Sequence, residues 1–81
     1  MVYVDRFRSW STVVPDNGIR VRFETCRLTA DSKRELLAFA TRMGLPDEWF
    51  QDHHRHPHFD LSASWRAKAV RLGATEIGDA K

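Results

Sequence analysis

Apolar and polar positions alternate through Val2-Tyr3-Val4-Asp5, so the chain opens on a predicted short strand with Asp5 near its C-terminal end. Ser9 to Val14 is rich in β-branched and aromatic side chains and predicts a second strand. Ile19, Val21 and Phe23 alternate with Arg20, Arg22 and Glu24, the pattern of a half-buried strand with a charged outer face. Between the two lies Pro15-Asp16-Asn17-Gly18, where Pro presets φ and Asn-Gly accepts positive φ. A hairpin across residues 9–26 follows.

The period then changes from two to 3.6. Leu36, Leu37, Phe39, Ala40 and Met43 form the stripe of a helix packed on a core. Ser32 stands three residues before Glu35 and predicts a capping box at its start. Gly44 ends it, and Leu45-Pro46 prevents its resumption. A second helix is predicted from around Ser62–Ser64 to Leu72, with Trp65, Ala69 and Leu72 on one face and Gly73 as its stop. Residues 74–77 add a final short strand, and 78–81 read as a frayed tail. This order predicts one α/β or α+β domain spanning 1–81, a small mostly β sheet with a hairpin, covered by two helices. Leu36, Phe39, Ala40, Trp65, Ala69 and Leu72 are its expected shared core, with Trp49-Phe50 as further anchors.

Composition narrows the class. Eighty-one residues make one domain, too small for a cofactor domain beside a substrate domain. A hydrophobic content of 42%, with three Trp and five Phe, supplies a core and excludes disorder. Cys26 is the single cysteine, so no internal disulfide forms, which fits a reducing compartment. No secretory h-region and no span of about 20 apolar residues is legible, and a cytoplasmic protein off the membrane is expected. The net charge of +2 sets 13 basic against 11 acidic residues. Nucleic-acid binding is therefore expected to be weak and salt-dependent at most. Homo-oligomerisation stays open.

The only concentrated polar chemistry runs from Gln51 to Asp60 and holds all four histidines, His53, His54, His56 and His58. In an extended chain His56, His58 and Asp60 project to one side, and Pro57 favours that conformation. Such a face can present a divalent metal such as Zn. A single segment without a second ligand cluster nevertheless favours a non-metal reading, with a His as acid–base or phosphate contact. The His-x-His-x-Asp pattern of metallo-β-lactamase-type hydrolases is rejected, because their fold needs more chain and distant ligands. An HNH nuclease fails too, since Asn17 is the only Asn. Asp5 lies where strand-end sites gather in open α/β sheets, or serves as a turn former or a partner for Arg6 or Arg8. Asp60 has a competing role as a cap for the helix that follows. Cys26 reads as a small buried hydrophobe, and Arg20, Arg22 and Lys68 as a solvated face.

In order and spacing, Val2-Tyr3-Val4-Asp5, Leu28-Thr29-Ala30-Asp31, Glu35 to Ala40, Met43-Gly44-Leu45, Trp49-Phe50-Gln51-Asp52-His53, Pro57-His58-Phe59-Asp60-Leu61 and Ala67 to Ala74 form a recognisable series. It resembles the bacterial and phage family called domain of unknown function 4031, over nearly the whole chain. The resemblance implies a compact domain and supplies no activity. The family pattern places histidines where this chain has Arg27 and Leu37, and Arg27 instead offers a planar fork to an anion.

The leading expectation is a small anionic or nucleotide-like ligand, with hydrolysis as an added activity. His58, Asp60 and Asp5 are the candidate catalytic residues, and Arg27, Asp31 and His53 the candidate ligand contacts. His56, His58 and Asp60 are the candidate metal set. His58 and Asp60 are expected within reach of Asp5 or Asp31, with His54 facing solvent. The rival class is a non-enzymatic module that binds a protein or nucleic acid through its Arg and aromatic surface.

Overall fold

A computed structural model describes residues 1–53 and 55–78. The strands are β1 (Val2–Val4), β2 (Arg8–Val13), β3 (Arg20–Ala30), β4 (Phe50–Gln51), β5 (His58–Leu61) and β6 (Thr75–Glu76). The helices are α1 (Lys33–Met43) and α2 (Ala63–Arg71), and a single 3₁₀ turn covers Asp47–Trp49. The sheet runs β4-β5-β3-β1-β6, with β2 pairing β3 off this path. Pairs are antiparallel except β1 with β6, so the sheet is mixed and the domain is α+β.

Local signals behave as their chemistry requires. The Ser32 hydroxyl accepts the Glu35 N–H at 3.1 Å and starts α1, but the capping box is not completed, because the Glu35 carboxylate accepts instead from the Met1 amino group at 2.8 and 3.0 Å. Gly44 closes it at φ 82°, a left-handed conformation that costs glycine little. At the hairpin tip the Asn17 side chain accepts the Ile19 N–H at 2.9 Å, and Gly18 takes φ 68°.

β3 is the spine. Its second half pairs with β1 on one side and β5 on the other, and its first half leaves the domain with β2 as an arm. The extents of 41 × 23 × 21 Å record that projection. Cross-strand register sorts the sheet into two faces. Val4, Leu28 and Phe59 share one row, and Cys26 and Leu61 the next. These apolar residues meet Leu36, Phe39, Ala40 and Met43 of α1 and Ala69 of α2 in one core, with Trp65 and Leu72 packed partly buried against it. The opposite face carries Tyr3 beside Thr29, Arg27 beside Asp60, and Gln51 beside His58.

Three expectations are corrected. The Ile19-Val21-Phe23 face is not half-buried throughout: Phe23 is 40% exposed, because strand alternation sets it on the side of Thr25 and Arg27, the face opposite the helices. Trp49 is no core anchor at 41% exposure, since the 3₁₀ turn sets it at the rim ahead of the edge strand β4. Lys68 is not simply solvated. Its ammonium donates to the Met43 carbonyl at 2.8 Å and ties α2 to the end of α1. The tail beyond Gly78 and the expected solvent-facing His54 lie outside the described residues. Among the described residues no helix is long and apolar enough to cross a membrane.

Candidate functional site

The sheet face opposite the helices bears the polar chemistry. β5 begins at His58, and strand alternation sets His58 and Asp60 on this face together. His58 Nε2 lies 3.8 Å from Asp60 Oδ1. The ring is held from behind, its Nδ1–H donating to the His56 carbonyl at 2.8 Å. In the neutral ring that bond leaves the Nε2 lone pair directed away from the backbone, available as an acceptor. Asp60 does not cap α2. Its Oδ2 accepts from the Gln51 side chain at 2.6 Å across β4 and β5, and the N-cap of α2 is Ser62.

Register places Arg27 directly opposite Asp60. Even so, the two form no ion pair, because Asp60 is taken up by Gln51 and stands beside His58. Among the described residues the half-buried Arg27 guanidinium has no hydrogen bond and no ion pair. Its donors therefore have no protein partner among the described residues, and the side chain lines the cleft. On the far side of β3 sits Asp5, fully buried, with both oxygens engaged: Oδ1 accepts the Arg27 backbone N–H at 2.7 Å and Oδ2 the Arg8 guanidinium at 2.9 Å. Arg8, Arg27, His53, His58 and Asp60 line one open cleft of about 350 Å³, with Trp10, Thr25 and Gln51 completing it.

Four expected residues, Arg27, His53, His58 and Asp60, therefore come together, and three do not join them. Asp5 is a neighbour that orients Arg8, separated from Asp60 by β3, about two strand spacings or roughly 10 Å. Asp31 lies at the other end of the sheet, where it accepts the Tyr3 hydroxyl at 2.8 Å and the Met1 amino group at 2.7 Å. His56 meets His58 only through its carbonyl and sets its ring beside that of His53, 6.3 Å between centroids. Among the described residues no group of three His, Cys, Asp or Glu is arranged to hold a metal ion. Arg8 was expected as a partner for Asp5 and is one, and Gln51 stood only as the first residue of the polar run. Trp10 and Thr25 had no assigned role in the sequence, and their only signal was the register of the hairpin, which the turn at Asn17-Gly18 would set if its length were known.

Cys26 stands on the core face and takes no part. Burial pushes its thiol up to about 11, partly opposed by the nearby Arg66 guanidinium.

Fold and site together define a small α+β domain with two helices on one sheet face and a cationic, histidine-bearing cleft on the other. Over residues 2–81 the chain matches the family described as "Protein of unknown function (DUF4031)", and it belongs to that family. No curated protein and no solved structure matches it.

Proposed function

We propose that this domain binds a small phosphate-bearing ligand of the nucleotide-like class in the cleft between β2, β3 and β5. The observation that carries this reading is Arg27, a guanidinium whose donors have no partner among the described residues and which lines the cleft. A planar fork of N–H donors matches two oxygens of a phosphate, and Arg8 and His53 add donors beside it.

Hydrolysis is supported by the His58–Asp60 pair. The Nδ1–H bond to the His56 carbonyl orients the ring, so Nε2 can take a proton from a water attacking phosphorus while the P–O bond to the sugar breaks and the departing sugar oxygen takes a proton from solvent. Asp60, 3.8 Å away, would then steady the imidazolium. Calorimetric titration with inorganic phosphate, for wild type and Arg27→Ala, tests the binding step. Release of phosphate from nucleoside monophosphates, lost in His58→Ala, tests the chemistry. Phosphate binding unaffected by Arg27→Ala would refute the site.

A second reading, a module that contacts a macromolecule, draws on the arm: Trp10, Val13, Ile19 and Phe23 all stand exposed along it. Normal phosphate binding together with loss of a partner on truncating the arm would favour it as an added role. Absence of phosphate binding would make it the principal one.

A further inference from the structure

The cationic cleft does not end at Trp10. That ring stacks on Phe23 with centroids 4.6 Å apart and planes 25° from parallel. Across from it Trp49 meets Trp65 edge-on at 5.8 Å and 84°. Both aromatic pairs line a second, mainly apolar groove of about 650 Å³, which shares Trp10, Thr25, Gln51 and Asp60 with the cleft of Arg8 and Arg27.

Trp10 is 47% exposed, and Phe23 and Trp49 are exposed to nearly the same degree. A cluster of large exposed rings lining one groove marks a binding surface. The occupant must also suit the junction, where Gln51 Nε2 already donates to Asp60 Oδ2 at 2.6 Å and the Gln51 side-chain carbonyl and Asp60 Oδ1 remain as acceptors. An all-apolar partner would strand these groups. A planar heterocycle on a hydroxylated sugar satisfies them: its faces lie against the rings, and its N–H or O–H groups meet Gln51 and Asp60.

We propose that the aromatic groove is the base-binding half of a mononucleotide site, with the base between the Trp10–Phe23 and Trp49–Trp65 pairs and the phosphate on Arg27. This rests on the phosphate reading above and names its ligand class. Continuity of the two clefts through shared residues is what joins base and phosphate in one molecule. Stacking on aromatic side chains accepts any base, so the site selects for the presence of a base before its identity.

The test compares adenosine 5′-monophosphate with ribose 5-phosphate, which has the same sugar and phosphate and no base. Affinities come from calorimetry, and the indole N–H signals of Trp10 and Trp49 from NMR. The nucleotide is expected to bind about tenfold tighter or more, shifting both indole signals where ribose 5-phosphate shifts neither. Trp49→Ala, at a residue that lines the aromatic groove and not the cationic cleft, should bring the ratio of the two affinities close to one. Trp49→Phe should preserve most of it. Equal affinity of the two compounds for the wild type would overturn the base site and leave phosphate binding standing. Failure of both to bind would remove the phosphate reading as well.

Discussion

The carboxylate of Asp5 stands in for its own carbonyl in the ladder opposite Arg27. The Asp5 N–H donates to the Arg27 carbonyl at 3.2 Å, and the return bond, from the Arg27 N–H, goes to Asp5 Oδ1 at 2.7 Å. The freed Asp5 carbonyl accepts from Arg66 Nε of α2 at 3.1 Å. Pairing resumes at Arg8 with Thr25, so three residues, Asp5 to Phe7, oppose two, Cys26 and Arg27. This is a bulge, and it bends the chain from sheet into arm. The same carboxylate then holds Arg8 at the cleft edge.

Asp5→Ala should accordingly destabilise the fold by about 1–3 kcal/mol, because the Arg27 N–H loses its acceptor in a buried place. It should also weaken phosphate binding, since Arg8 loses its anchor. Chemical denaturation and phosphate titration of the same variant check both. An unchanged denaturation midpoint would contradict the ladder role.

Arg27→Ala separates binding from stability. The guanidinium makes no internal bond among the described residues, so its removal should cost folding less than about 1 kcal/mol. A charge-assisted contact to phosphate should disappear, about 1.5–3 kcal/mol or at least tenfold in affinity. Arg27→Lys should fall between, keeping the charge without the fork. A large loss of stability in place of affinity would show the residue to be structural.

Phe39→Ala tests the shared core. Phe39 is buried with Leu36 and Met43 in the cluster that receives Ala69 of α2. Truncation should cost about 3–5 kcal/mol, a large fraction of the stability of a chain this short. A urea midpoint equal to that of the wild type would contradict the packing of α1 on the sheet.

Cys26 links stability to alkaline pH. Folded, its thiol keeps its proton to about pH 11; unfolded, it loses it near 9.0. The stability tied to this group is complete below pH 9 and is lost as pH rises from 9 to about 11. Denaturation midpoints measured across that range should fall less steeply in Cys26→Ala than in the wild type. The native thiol should react only slowly with a disulfide reagent at pH 8. Fast native-state labelling would show the core face to be open.

Local features were readable in the sequence because they need only neighbouring residues. A cap from Ser32 to Glu35, a left-handed Gly44, an Asn17-Gly18 turn and the common facing of His58 and Asp60 each arise within four residues of chain. The choice of face followed for the same reason, since alternation in Val2 to Val4 and periodicity in Leu36 to Met43 mark which side is apolar.

Tertiary structure decided how those pieces met. Asp31 and Asp5 are both acidic residues at strand ends; Arg8, three residues on, was legible as a partner for Asp5, but nothing near them in sequence says that Tyr3 and the amino terminus take Asp31 while the Arg27 backbone takes the second oxygen of Asp5. Arg27 faces Asp60 only because β5 pairs with β3 in one particular register, and a slip of one residue would have put His58 into the core. Phe23 alternates as a buried residue should, yet stands in water, because periodicity records which side of a strand is apolar and not whether anything lies against it.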